Sequence, residues 1–468
     1  MTTRSASRRP RAPAAPRRPG ALAPSRPLAA SALAPSRPLA AFALAALRPL
    51  AAAALALGAL SPARARAQGG APPALPGAAA APPPPAGAGA AAGAGTAAGA
   101  GAAAGAEGAL GALRVGAYVE AFYQWNVNDP ANGITNYRGF DNRHNAFTLS
   151  NAALDASWHK GPVVGQLTLQ IGHTPNTYYL AEPASPGASG AGEASAPTTW
   201  KYLQQANVGY RAPLGRGLLV QAGLFLSPIG VESLAVKDNW HWSRSNLFFG
   251  LPFYHTGARA TYELDDAWSV TAAIFNGWNS VVDNNRDKSV VLEAAYHPSG
   301  ALRAHLLYFG GVERPEGAPE GQPFRHDVDA FVQADLGERF AVLAHNNVGF
   351  EATELGASLW VAFAASGRYR AADWLFVALR GDYFRERPGR GDAGRASPIF
   401  WPGDWVASGT ATADLRPAEG LSVRLEYRHD RADAAMYFRG EVGVDADGAP
   451  APDARAQDTL TLGATAWF

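Results

Sequence analysis

The chain has 468 residues, 47% apolar and only 17% charged, with 51 Gly, 36 Pro and no Cys. Without cysteine there is no disulfide scaffold, no Cys-ligated zinc site and no thiol catalysis. The net charge of +1 hides an uneven split: residues 1–67 hold 11 Arg and no acid, leaving 40 − 11 = 29 basic against 39 acidic residues beyond them, a balance of −10 that excludes nucleic acid as a partner.

Residues 1–67 read as an export signal with an N-terminal extension, in which LAPSRPLAA occurs at 22–30 and again at 33–41. Arg48 precedes an apolar run from Leu50 to Leu60, and Ala65-Arg66-Ala67 supplies the small residues at −3 and −1 of a cleavage site before Gln68. That run is far shorter than the roughly 20 residues a bilayer-spanning helix needs. Residues 68–112 are almost wholly Ala, Gly and Pro, including Pro82 to Pro85, and cannot bury a core; they are expected to form a disordered tether.

From Leu113 onward the pattern changes to segments with period-2 alternation, the mark of half-exposed strands. In SVRLEYR, Val423, Leu425 and Tyr427 oppose Ser422, Arg424, Glu426 and Arg428; in GQLTLQI, Leu167, Leu169 and Ile171 oppose Gln166, Thr168 and Gln170. Sixteen such segments begin near residues 113, 146, 163, 200, 217, 255, 267, 288, 301, 326, 339, 355, 374, 404, 420 and 457.

The connections between them alternate in length. Lys160-Gly161-Pro162, Asp265-Asp266 and Gly337-Glu338 are examples of the short set; 126–145, 174–199, 227–254, 312–325, 387–403 and 431–456 are the long ones, with a short exception at 351–354. Short turns on one rim, long loops on the other and an even strand count predict an all-β fold, a transmembrane antiparallel barrel of the bacterial outer membrane occupying residues 113–468. A soluble β-sandwich also alternates, but its dry core has no place for mid-strand charges such as Glu263, Glu293, Arg303, His305, Asp329, Arg380, Asp382 and Arg424. A water-filled lumen does, so these eight are expected to face it. Trp125, Trp158, Trp200, Trp268, Trp374, Trp405 and Trp467 near strand ends fit interfacial girdles. The last strand alternates through Leu460, Leu462, Ala464 and Ala466 to a terminal Phe468, similar to the C-terminal signal read by the barrel assembly machinery of Gram-negative bacteria.

The most distinctive stretch runs from Leu226 to Tyr262 and contains the third long loop. Here Asn239, Trp240, Ser243-Arg244-Ser245, Pro252-Phe253, His255-Thr256-Gly257 and Arg259, followed by Asn276-Gly277-Trp278-Asn279 and Asp283-Asn284-Asn285, resemble the β-barrel porin family described as OmpL-like. The resemblance implies an outer-membrane porin over roughly 113–468, without naming a solute. In the loop itself, Glu232, Lys237, Asp238 and Arg244 set both signs of charge beside Trp240, Trp242, Phe248, Phe249 and Phe253. Two readings stand: an inward constriction whose charges sort ions, and an external loop whose aromatics cap the rim.

No hydrolase or metalloprotease motif is present. His241 and His255 lack a third ligand at regular spacing, Asp445-x-Asp447-Gly448 lacks the twelfth-position carboxylate of a calcium loop, and Asp283 to Asp287 reads as a solvated turn. No enzyme, cofactor or metal is expected. The expected function is passive diffusion of small hydrophilic solutes, the alternative a solute-specific channel or ligand-binding barrel. The expected partners are outer-membrane lipid, the assembly machinery, the solutes and, by analogy with other sixteen-stranded porins, two further copies of the chain.

Overall fold

Alternating side chains give a strand one apolar and one polar face, and a sheet of such strands can bury its main-chain donors at both edges only by closing on itself. A computed structural model of the chain describes residues 112–182, 185–186, 193–283 and 285–468. The expected leader (1–67) and all but the last residue of the expected linker (68–112) lie outside them. The barrel opens at Ala112, which is already the first residue of a strand.

Among the described residues sixteen strands close into one barrel. They are β1 (Ala112–Asn126), β2 (Ala146–Lys160), β3 (Val163–Ile171), β4 (Leu203–Ala212), β5 (Leu218–Leu226), β6 (Tyr254–Glu263), β7 (Trp268–Phe275) and β8 (Ser289–Ser299). The second half comprises β9 (Leu302–Val312), β10 (Phe324–Asp335), β11 (Phe340–Thr353), β12 (Gly356–Ala372), β13 (Leu375–Arg387), β14 (Trp405–Ala418), β15 (Leu421–Ala432) and β16 (Ala456–Trp467). Each pairs antiparallel with its sequence neighbour, and β1 pairs with β16 from Tyr118↔Trp467 to Asn126↔Thr459. Every strand begins within three residues of its expected start. The short connection on the long-loop rim also exists: Thr353 and Gly356 pair across a two-residue turn. Helical segments are brief: α1 (His173–Tyr178), α2 (Pro197–Trp200) and α3 (Asn246–Phe249).

The outward face is apolar all round. Val115, Leu154, Leu292, Leu379, Leu425 and Leu462 are exposed on well-separated strands, with Trp125, Trp158, Trp268 and Trp374 near strand ends. An exposed apolar belt on every side belongs in hydrocarbon, not water. Among the described residues no helix is long and apolar enough to cross a membrane; the strands form the spanning element.

Candidate functional site

The loop at 227–253 leaves the end of β5 and runs across the inside of the barrel. Local chemistry shapes it. Ser245 caps α3 by accepting the Phe248 N–H at 3.1 Å, and Asn239 fastens a turn by accepting the Ser233 N–H and donating to the Ser233 carbonyl, both at 2.7 Å. The rings of Phe248, Phe249 and Phe253 pack with Phe140 from the 127–145 loop at 5.7–5.9 Å between centroids. Trp242 lies 5.9 Å from Phe122 of β1 and over Gly463 of β16, where a Cβ would come within 2.2 Å of the indole.

The loop main chain is bound by charged side chains from around the wall. The Glu120 carboxylate accepts the Val236 N–H at 2.5 Å, Glu426 accepts the Trp242 and Ser243 N–H groups at 2.6 and 2.9 Å, and Asp382 accepts the Asn246 N–H at 3.1 Å. In the opposite sense, Arg424 donates to the carbonyls of Val236, Asn239 and His241 at 2.7–2.9 Å, Arg380 donates to the Ser243 carbonyl at 2.7 Å, and Arg428 donates to the Arg244 carbonyl. Charge-assisted bonds of this kind are roughly twice as strong as neutral ones. A loop with little regular structure is thereby satisfied in a dry place.

The eight mid-strand charges all point inside, but most of them meet protein where water was expected. Arg424 is 1% exposed, and Glu293, His305, Asp329, Arg380 and Asp382 are also buried. Burial is tolerable because each is paired: Glu293 with His305 at 3.2 Å, Asp329 with His345 at 2.8 Å and the Gly230 N–H at 3.1 Å, and Arg380 with Glu232 at 2.9 Å. Glu263 and Arg303 are half-buried, and Arg303 donates to Gln333 at 2.6 Å. Within the loop, Lys237 and Asp238 are half-buried and pair at 2.9 Å. Glu232 accepts the Ser245 N–H at 3.1 Å. Arg244, expected to present charge to the channel, is only 3% exposed and turns back into its own loop, donating to the carbonyls of Ser233, Trp242 and Leu234 beside the Phe140 ring. Phe468 is 78% exposed, its main chain bonded to Ala117 in both directions.

Burial splits the interior into two levels. Toward the short turns, Asp155, Gln221, Arg259, Arg303, Gln333 and Arg368 face inward and stay partly accessible. Toward the long loops the interior is filled by the 127–145, 227–253, 388–404 and 433–455 loops, whose Tyr137, Leu247, Trp401, Met436 and Tyr437 pack on Phe309, Trp360 and Phe384 of the wall. Glu120 and Glu386 were not singled out in the sequence. Glu426 and Arg428 stand, as the alternation placed them, on the polar face of the same segment as Arg424; what they grip depends on a loop nearly two hundred residues earlier.

His241 has its own chain of partners. The Thr412 hydroxyl donates to Glu426 at 2.8 Å, so it accepts at 2.8 Å from His241 Nδ1–H, which puts the proton of the neutral ring on Nδ1. Burial, with Arg380, Arg424 and Arg428 nearby, holds this imidazole well below its usual value, while burial pushes the Asp238 carboxyl up against the pull of Lys237. A depressed folded-state histidine stabilises fully above its unfolded value and loses that contribution as pH falls below about 6.5. Between pH 7 and 5 the wild-type barrel is therefore expected to lose more urea resistance, or gain less, than His241→Gln. Equal pH slopes for the two proteins would contradict it.

Among the described residues no group of three His, Cys, Asp or Glu side chains is arranged to hold a metal ion. Asp445 accepts the N–H groups of Asp447 and Ala449 in a tight turn, and Asp283 pairs with Lys288.

The family model described as "Putative beta-barrel porin-2, OmpL-like" matches residues 112–468. No curated protein matches the chain. Among solved structures, the anion-selective porin from Comamonas acidovorans aligns at 10% identity and a TM-score of 0.49, covering 76% of this chain and 99% of that one. OmpT of Vibrio cholerae and the outer-membrane channel DcaP of Acinetobacter baumannii each align at 10% identity and a TM-score of 0.47, over 76% of this chain and 97% of theirs. With a closed sixteen-stranded barrel, an apolar outer belt and a family match along the whole of it, the chain belongs to the OmpL-like β-barrel porin family and lies in the bacterial outer membrane.

Proposed function

We propose that the barrel conducts small hydrophilic solutes by passive diffusion, with the 227–253 loop as its constriction. The reading is carried by one observation: the loop crosses the lumen on a wall of charged side chains, leaving a polar vestibule on the short-turn side. Lys237 and Asp238 are the loop charges that border this vestibule, whereas Glu232 and Arg244 serve to hold the loop. In a narrow low-dielectric passage one charge reversal outweighs many on a screened surface. Lys237→Glu is therefore expected to move the reversal potential in a salt gradient toward cations, while Arg395→Glu in an outer loop leaves it in place. Equal reversal potentials for both would remove the loop from the permeation path. Liposome swelling with sugars of graded size separates the main reading from a solute-specific channel, which the dry packing on the long-loop side favours.

Export through the 1–67 leader, a tether at 68–111 and a homotrimer complete the proposal; the native mass in mild detergent tests the last. Phe468 serves as the assembly signal. Its exposed ring ends the closing strand, so Phe468→Asp should lower the yield of heat-modifiable barrel in the outer membrane, and a normal yield would count against the role.

A further inference from the structure

On the long-loop side every one of the sixteen strands turns a buried side chain inward; Asn126 on β1, Phe225 on β5, Phe309 on β9, Trp360 on β12, Glu386 on β13 and Thr461 on β16 mark the circuit. A solute that enters the short-turn vestibule thus meets loops packed as a plug against every strand of the wall. If the barrel conducts, as proposed above, part of that plug has to move.

Two parts are candidates, and their fastenings differ. The 227–253 loop is gripped by Glu120, Asp382, Glu426, Arg380, Arg424 and Arg428 from the wall, and removing it would strand that many buried charges. The 388–404 loop inserts mainly by apolar contact. Its Phe400 ring lies 5.3 Å from Trp360 and 5.1 Å from Phe384, and Trp401 lies 6.0 Å from Phe384 and 5.8 Å from Tyr137. One wall carboxylate, Glu386, accepts the N–H groups of Ile399, Phe400 and Trp401 at 2.5–3.3 Å. The buried Trp401 indole N–H finds no acceptor among the described residues, a defect that leaving the plug would relieve. The rest of the loop, Asp392 to Arg395, already stands exposed.

We propose that Ile399–Phe400–Trp401 is a hydrophobic wedge that gates the channel, with Glu386 as its latch and the 227–253 loop as the fixed element beside it. Withdrawing the wedge admits water along the face of β12 and β13, where Ala362 and Ala364 leave room beside Trp360; dry apolar constrictions of this kind close pores by excluding water. Outside the barrel, Ser397 donates its N–H to Glu320 of the 313–323 loop at 2.6 Å, and this contact must open as the wedge leaves.

The test is single-channel recording of the full chain in planar bilayers, using wild type, Phe400→Ser, Glu386→Gln and a Cys pair at Glu320 and Ser397 in this cysteine-free background. All are first checked for heat-modifiable migration. Wild type should be closed most of the time. Phe400→Ser and Glu386→Gln should each raise the open fraction about tenfold, the scale of one lost buried hydrogen bond or packing contact. The oxidised Cys pair should silence the channel and a reductant should restore it. A wild type that stays open, with a cross-linked form that conducts equally, would overturn the gate and leave the channel standing. Folded barrels that never conduct in any variant would overturn the channel reading and the gate together.

Discussion

Replacing Arg424 with methionine is expected to lower the stability of the barrel by about 3–5 kcal/mol, the range for removing one partner from a buried ionic network. The guanidinium stands under the 227–253 loop, 1% exposed, and serves three loop carbonyls at 2.7–2.9 Å together with Asp414 at 3.5 Å. Methionine fills much of the volume but donates nothing, so three carbonyls are left dry and unpaired. Asp414 keeps Arg416 at 2.9 Å and the Ser422 hydroxyl at 2.6 Å, so the loss concentrates on the loop. Tryptophan fluorescence during urea unfolding in lipid should report a clearly lower midpoint. Arg370→Met supplies the control, because its pair with Asp373 is exposed and such pairs contribute about 0–1 kcal/mol. If the two variants unfold at the same midpoint, Arg424 does not hold the loop.

Glu426→Leu should be nearly as costly. It strips the acceptor from the N–H groups of Trp242 and Ser243 and from the Thr412 hydroxyl, at 2.6, 2.9 and 2.8 Å. Each buried donor left unmade costs about 1–3 kcal/mol, so the total is on the order of 3 kcal/mol or more even after some relaxation. Arg424 and Glu426 grip adjoining parts of one loop from one strand, so the double variant should lose less than the sum of the singles. The same substitution should free Trp242 from its seat over Gly463 and make the loop a protease target. Full additivity, with the loop still resistant, would separate the two residues into independent sites.

The barrel was legible in the sequence because period-2 alternation is a local property. A residue's membership of the outer or inner face needs no knowledge of distant chain, and turn chemistry at Gly161, Gly337 and Gly420, all at positive φ, marks the strand ends. Strand count, antiparallel order and the inward direction of Glu293, Asp329 and Arg424 follow from that periodicity alone. The inference from inward charge to a wet lumen did not carry over to the long-loop half. A charge tolerates burial as readily beside a main-chain dipole or an opposite charge as it does in water, and alternation cannot tell these surroundings apart. Arg244 shows this most clearly: its loop reads as a constriction with charge facing the channel, yet the guanidinium closes on carbonyls ten and eleven residues back in its own chain.

By itself, then, the sequence determined the wall, since backbone pairing and lipid contact depend on nearest neighbours along and across strands. Only the tertiary structure decided the contents of the wall. Glu426 meets Trp242 across 184 residues and Arg138 meets Asp430 across 292, and the loops making these contacts have no period to betray where they lie. Their positions depend on shape and on the matching of donors to acceptors after the barrel has closed. Such matching is a property of the assembled interior and of no single segment.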